Sequence, residues 1–360
     1  MERWTQNPRL RQAFLSLAQS LVAILLAMLA GTVMLLIVGA NPLEAYAVLL
    51  KGAFGGWPAF ARTLRMASPI LITGLAVVVA FRAGFIYLGM EGALYVGALS
   101  ATLCGIYVSP GLPTFLHLPA ALLAGCLAGG LWAFIPALLR ARWRVDEVVS
   151  TLMLNYIAIL LVDHLVYAYF QDPAGGTNAE RALTLPIPAT ARLPFVDERY
   201  GLSFSIILGL VLVVALLWVY SRSVWGYESD MTGLNRRFAH YGGVNTLKMA
   251  LTSMVASGVI AGLAGAAECL GNYGRYIGGF SSDFGFDGVT VALMGRLNPL
   301  GALLSAIFFG ALKNGGSLME LEVNVPRDMV VVLQGLILLI VTAQTLFVVL
   351  RLNAQARPEE

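Results

Sequence analysis

Ten apolar stretches, all but one near the length that crosses a lipid bilayer as a helix, follow one another along 360 residues. They lie near 17–39, 64–81, 86–107, 117–139, 147–169, 203–220, 248–269, 284–296, 300–318 and 328–350. A hydrocarbon core of about 30 Å takes roughly 20 helical residues. Inside it a run such as SFSIILGLVLVVALLWVY (203–220) satisfies its own backbone polar groups only as a helix. Hydrophobic residues make up 58% of the chain and charged residues 12%, against about 25% charged in ordinary soluble domains. No soluble fold of this length hides that much apolar surface. The expected fold class is an all-α polytopic membrane protein of about ten transmembrane helices in a single transmembrane domain, residues 1–360. The eighth stretch, 284–296, is too short to span and reads as a half-helix or re-entrant segment, tolerated at depth only where protein or a water-filled path surrounds it.

The net charge of +3 is too small to suggest a nucleic-acid partner, and the position of charge says more. With the N-terminus inside, the inner segments hold Arg3, Arg9, Arg11, Arg82, Arg140, Arg142, Arg144, Arg222, Arg236, Arg237, Lys248, Arg296, Arg351 and Arg357, 14 of the 23 basic residues. The positive-inside rule then places both termini in the cytoplasm, as an even number of spans requires. Arg3, Arg9 and Arg11 ahead of an apolar run imitate a signal peptide. The run from Leu17 to Val38 exceeds the roughly 7–15 residues of a signal core, so it reads as a first, uncleaved span. Cys104, Cys126 and Cys269 are far apart in apolar segments and read as small packing residues.

Two loops stand out: 171–202, proline-rich and mixed in charge, on the outer side, and 221–247, basic and glycine-rich, on the inner side. The chain carries no G-x-x-x-x-G-K-[ST] phosphate loop, no H-E-x-x-H, G-x-S-x-G or C-x-x-C, and its three histidines are widely separated. Nothing brings a nucleophile to a base, and an enzyme reading is disfavoured. A loose echo links FRAGFIYLGMEGALYVGAL to DFGFDGVTVALMGRLNPLGAL, each setting glycines and an acid about a short helix, as internal repeats of transporters do.

Several polar residues lie where hydrocarbon is expected. Glu91, between Gly89 and Gly92, either lines a water-filled path or caps a broken helix end. Tyr87 and Met90 flank it. Glu268 lies near an outer span end and is read as reaching the interface. Asp163 and His164 offer a proton relay or a packing pair. Asp146 and Glu147 sit at a helix start, where acids suit the positive dipole end. Two turns deeper, Asn155 needs hydrogen-bond partners or lines a path. Asp287 just precedes the short helical run and is placed to cap it. In the inner loop, Gly233, Leu234 and Asn235 lead into Arg236, Arg237, Phe238, Ala239, His240 and Tyr241, closed by Gly242 and Gly243, room for about two helical turns. Phe238 and Tyr241 share a face. Such a helix either lies on lipid headgroups or docks on a soluble partner, two aromatics filling a pocket and two arginines pairing with its acids.

Four motifs in order, from about Pro69 to Leu312, resemble the permease subunits of bacterial ABC importers in the sugar, nucleoside and branched-chain amino-acid group, nearest the nucleoside and simple-sugar branch. FRAGFIYLGMEGA is similar to F-R-A-G-x-x-N-I-G-x-E-G-Q, DEVVSTLMLNYIA to N-E-V-I-S-T-x-M-L-N-Y, and MGRLNPLGALLSAIFFGAL to L-G-R-x-N-P-x-G. The inner loop matches R-A-V-G-x-N-x-x-A-A-x-Y-x-G-I-N at Gly233, Asn235, Ala239, Tyr241, Gly243 and Asn245.

The resemblance implies a type II-like importer permease fold with alternating access, in the bacterial inner membrane. The 221–247 loop would be the cytoplasmic helix that couples to a separate ATPase, which would itself bind the ATP, so no cofactor is expected on this chain. A second permease, identical or paralogous, would complete the pathway. A periplasmic or lipid-anchored substrate-binding protein would deliver solute to the 171–202 loop. Tyr87, Met90, Glu91, Asn155 and Asp287 would then be pathway residues. The chain departs from the motifs at Asp230 and Phe238, read as tuning the dock, and at Tyr87 and Ala93, where amides give way to a ring and a methyl. If those two positions line the path, the exchange favours a flat heteroaromatic solute such as a nucleoside. The competing reading is an ion-coupled secondary transporter using Glu91 or the Asp163/His164 pair. A membrane scaffold without transport needs neither broken spans nor buried polar groups.

Overall fold

The computed structural model describes residues 28–339 apart from 30, 38, 109–112, 174–180, 327, 330, 333, 337 and 338. Most of the expected first span (17–39) and much of the expected last (328–350) fall outside the described residues. The helices, in order, are α1 (Pro42–Phe54), α2 (Trp57–Arg82), α3 (Met90–Tyr107), α4 (Thr114–Trp143), α5 (Glu147–Leu165), α6 (Ser205–Arg222), α7 (Val224–Leu234), α8 (Arg236–Tyr241), α9 (Thr246–Glu268), α10 (Phe284–Met294) and α11 (Pro299–Val323). One π-helical turn, Val166–Phe170, continues α5, and another, Cys269–Tyr273, continues α9. Among the described residues, six helices are long and apolar enough to cross a membrane: α2, α4, α5 with its π turn, α6, α9 with its π turn, and α11. A seventh is added if Gly31–Ile37 and α1, bent by 118° from one another, form one broken span. The chain is a helical, multi-pass membrane protein. The one regular sheet among the described residues is a hairpin of β1 (Phe195–Asp197) and β2 (Leu202–Ser203) in the 171–202 loop.

The third expected span starts later than 86, because Phe85–Leu88 is a non-helical strap and α3 begins at Met90. Glycine and a run of β-favouring residues around Phe85 break the helix there: Phe85 N still donates to the Ala80 carbonyl of α2 at 3.1 Å and Tyr87 N to the Phe85 carbonyl at 3.0 Å, while side chains hold Leu88. The eighth element is a short helix: α10 has 11 residues, about 16 Å at 1.5 Å per residue.

Contacts divide the chain into two units, 60–310 and the flanking residues up to 59 and from 311. In the flanking unit, Lys51 pairs with Glu322 at 3.0 Å. Asn314 Nδ2 donates to the carbonyls of Gly52 at 2.8 Å and Ala59 at 2.9 Å.

The larger unit is built on α3, α4 and α9, whose helices approach through small residues. A Cβ at Gly129 would fall 2.4 Å from the Gly258 carbonyl oxygen and 2.7 Å from Gly262 Cα. Two sequence pairs at four-residue spacing, Gly125/Gly129 and Gly258/Gly262, therefore bring two backbones into contact, the packing mode that works where lipid removes any hydrophobic drive between helices. Helix α5 shows the environment from the other side. Its buried face carries Glu147, Thr151, Asn155, Ala158 and Val162, while Val149, Met153, Tyr156 and Leu160 are exposed. Polar inside and apolar outside is the arrangement expected of a helix bathed in lipid. In α2, Pro69 leaves the Arg65 carbonyl without its helical donor, and the Ser68 hydroxyl fills that place at 3.1 Å.

Candidate functional site

The inner loop folds as three elements. Ser223 caps α7, its side chain accepting from Gly226 N at 3.0 Å. Asn235 ends α7 and starts α8, its Oδ1 accepting from Phe238 N at 3.0 Å. Asn245 repeats the device at the start of α9, accepting from Lys248 N at 3.0 Å. Asparagine at each N-cap fits its preference for that position. The six-residue α8 holds Ala239 inward and leaves Phe238 65% and Tyr241 89% exposed. Two large aromatics so exposed are what either expected role of this helix, on lipid or on a soluble partner, requires.

The two arginines of α8 differ in role. Arg236 donates to the Gly84 carbonyl and its guanidinium lies 4.2 Å from the centre of the Phe85 ring. Burial there, and then the nearby Arg140 charge, draw Arg236 below the usual arginine range, with Glu147 opposing. Both arginines are exposed, and Arg236 is in addition engaged within the chain through Gly84 and Phe85. Asp230, read from sequence as tuning the dock, makes a two-point ion pair with Arg82, Nε to Oδ1 and Nη2 to Oδ2, the latter 2.8 Å. Gly233 lies against the same place, since a Cβ there would sit 2.0 Å from the Arg82 carbonyl oxygen. Gly84, at φ +79°, faces Gly233 Cα, a turn that favours glycine.

A second constellation lies deeper. The strap and the first turn of α3 present backbone groups that no helix satisfies. Helix α5 supplies the partners from Thr151 and Asn155, four residues apart on one face. Thr151 Oγ1 accepts from Leu88 N at 3.2 Å. Asn155 Nδ2 donates to the Leu88 carbonyl at 2.8 Å, and its Oδ1 accepts from Gly92 N at 2.8 Å. Both functions of the Asn155 amide are thus taken up in holding the break.

Glu91, in the first turn of α3, accepts from Gly285 N at 2.6 Å in the first turn of α10, and Ser281 also hydrogen-bonds it. Two helix N-termini meet on one carboxylate, the charge their dipoles favour. Ser281 Oγ accepts from Phe284 N at 3.2 Å, and the Thr73 hydroxyl donates to the Phe284 carbonyl at 2.8 Å. The run begins at Phe284, so Asp287 lies inside its first turn. The expectation that Asp287 precedes and caps α10 is corrected: Ser281 and Glu91 do that work.

The expected pathway residues are distributed unevenly. Tyr87, Met90, Glu91 and Asn155 are all buried. Tyr87 turns its hydroxyl back to the Gly89 carbonyl at 3.1 Å, and Ala93 is fully covered. The argument from Tyr87 and Ala93 towards a flat solute loses its footing here, since neither has exposed surface. Asp287 is half-buried on α10. Glu268, expected at the interface, is instead buried and accepts from Asn272 Nδ2 at 2.8 Å. Asp163 accepts from the Tyr276 hydroxyl at 2.7 Å, while His164 is exposed, an arrangement that favours the packing reading of the pair over a relay.

Sequence reading missed two features. One is an aromatic cluster of Tyr95, Tyr273, Tyr276 and Phe280, with Tyr95 and Phe280 ring centres 4.9 Å apart. The glycine-rich GNYGRYIGGF run was its signal. The other is the open side of α10, where Phe286 and Leu293 are exposed, Asp283 is exposed just ahead of the helix, and Asp287 and Thr290 are half-buried.

Comparison with known proteins agrees with this architecture. The family model described as branched-chain amino acid transport system / permease component matches residues 59–342. A guanosine ABC transporter permease of Bacillus subtilis, NupP, is 36% identical over 90% of this chain and 92% of its own length. A glucose ABC transporter permease of Haloferax volcanii, TsgB13, is 32% identical over 93% of this chain and 89% of its own. A nucleoside ABC transporter permease of Lactococcus lactis, NupB, is 28% identical over 93% of both. The chain therefore belongs to the branched-chain amino acid transport system permease family, and it is a permease component of an ABC transporter rather than an enzyme.

Proposed function

We propose that this chain forms, with a second permease, the transmembrane pathway of an ATP-driven importer whose solute is a nucleoside or a closely related compound. Its fold would be the ten-span, type II-like arrangement with both termini in the cytoplasm, as the distribution of arginines favours. A separate ATPase binds the ATP, and a binding protein outside the membrane delivers the solute over the 171–202 loop. The observation that carries the reading is α8: a capped six-residue helix whose Phe238 and Tyr241 stand exposed, with Arg237 beside them. Such a surface fits a pocket with an acidic rim on an ATPase.

The solute class rests on the relatives that carry guanosine and nucleoside in their names and on the open side of α10. There Phe286 offers a face for a heterocycle, and Asp283 and Asp287 offer acceptors for ribose hydroxyls. A ring with a diol uses both; glucose uses only the acids. An ion-coupled mechanism has less support, because Glu91 caps α10 and Asp163 holds Tyr276.

The test is uptake of a labelled purine nucleoside into proteoliposomes holding the whole transporter, with unlabelled nucleosides and glucose as competitors. Nucleosides should compete at concentrations at least about tenfold below glucose, which corresponds to about 1.4 kcal/mol. Stronger competition by glucose would reject the solute assignment.

A further inference from the structure

The two constellations described above are joined by one piece of backbone. Residues 82–85 touch the docking loop: Arg82 pairs with Asp230, the Gly84 carbonyl accepts from Arg236, Gly84 abuts Gly233, and the Phe85 ring lies under Arg236. Residues 88–92 touch α5 and α10: Leu88 and Gly92 are held by Thr151 and Asn155, and Glu91 holds the first turn of α10. Only Ile86 and Tyr87 separate the two sets, and Phe85–Leu88 lies outside any helix. The three Cα steps from Phe85 to Leu88 reach at most about 11 Å. A segment clamped at both ends passes a pull from one clamp to the other with little loss, whereas a mobile loop would absorb it.

We propose that the strap Ala83–Gly89 transmits movement of the docking loop to α3 and the short helix α10, and through them to the solute pathway. The inference rests on the reading of α8 as the ATPase dock. In it, Arg82, Asp230 and Phe85 are positioning residues: they touch neither the ATPase nor the solute, and they fix the strap to the loop. Asn155 and Thr151 form the second clamp. Loosening the first clamp should leave the motor attached and running but disconnected from the path. A physical coupling claim of this kind needs energetic evidence beyond adjacency, and the Arg82–Asp230 pair allows it through a charge reversal.

The experiment uses the complete transporter in proteoliposomes, with Asp230→Asn, Phe85→Ala and the double variant Arg82→Asp/Asp230→Arg. Size-exclusion profile and co-purified ATPase report assembly; ATP hydrolysis and labelled nucleoside uptake are measured on the same sample. The expected result for both single variants is a normal complement of ATPase, basal hydrolysis within about twofold of the parent, and uptake per ATP reduced about tenfold, equivalent to about 1.4 kcal/mol of coupling. The reversed pair should recover most of the ratio, which a residue of general structural use would not do. Hydrogen exchange should also quicken at the Leu88, Gly92 and Gly285 amides in Asp230→Asn, although all three are remote from the substitution. Unchanged uptake per ATP with ATPase bound overturns the proposal. Loss of the ATPase from these variants overturns it too, since Asp230 and Phe85 would then belong to the dock. The dock itself is tested separately on Arg237→Glu, which lies outside the strap, so failure of that reading is distinguishable.

Discussion

Replacing Asn155 by alanine removes the two hydrogen bonds that close the broken start of α3. The Leu88 carbonyl and the Gly92 amide are each held at 2.8 Å by this one side chain, which is buried. Leaving a buried backbone group unpaired costs about 1–3 kcal/mol, so two such groups imply about 2–6 kcal/mol if water does not enter. Thr151 still holds Leu88 N, which limits the damage to the carbonyl and to Gly92. The assay is unfolding of the purified chain in mixed micelles by rising SDS, read by tryptophan fluorescence. Val149→Ala provides the control on the same helix, because Val149 is exposed and such surface changes usually stay within about 0.5 kcal/mol. Asn155→Ala should lose at least about 2 kcal/mol against that control. Equal midpoints for the two variants would refute the reasoning that α5 holds the break closed.

Four further outcomes follow from the same geometry. Glu91→Gln keeps an acceptor for Gly285 N and should retain uptake within about threefold (below 1 kcal/mol), insensitive to a protonophore at constant ATP, whereas Glu91→Ala leaves that amide unpaired and should lose about 1–3 kcal/mol of stability; a Gln variant as inactive as Ala would point to ion coupling. Phe286→Ala should raise the half-saturating nucleoside concentration by about three- to tenfold, the value of one aromatic contact, with no change in competition by glucose. Gly129→Ala drives a methyl into the Gly258 carbonyl and should lower stability by about 1–3 kcal/mol, seen as an earlier SDS midpoint than Leu131→Ala on the exposed side of α4. Arg236→Glu should disturb the strap and lower the SDS midpoint, while Arg237→Glu should leave the midpoint unchanged.

Some of this architecture is legible in the sequence because it is local. Asn235 and Gly242 bracket α8 within eight residues, and asparagine and glycine punctuate helices by their own conformational preferences. The shortness of α10 is likewise visible in the glycines around Phe284. The roles of Glu91, Asn155 and Asp230 are not, because their partners lie 194, 63 and 148 residues away. A buried carboxylate looks the same in sequence whether it meets water, an ion or a helix N-terminus; only the fold brings Gly285 to Glu91. Arg236 and Arg237 are adjacent and chemically identical, and which of them faces Phe85 depends on where α8 sits against the strap. The aromatic cluster at Tyr95 and Phe280 was hidden for the same reason, with its rings contributed by segments far apart in the chain.

The central claim, that an external motor drives this permease through α8, is tested most directly by ATP-dependent uptake in proteoliposomes holding the ATPase, the second permease and the binding protein. The measurement compares the parent with Phe238→Ala/Arg237→Glu while a proton or sodium gradient is imposed or omitted. The account predicts nucleoside uptake that requires ATP, ignores the gradients, and falls at least about 30-fold in the double variant together with loss of bound ATPase, the effect of about 2 kcal/mol at a docking hot spot. Uptake that follows an ion gradient without ATP, or a double variant that keeps its ATPase and transports normally, would contradict it.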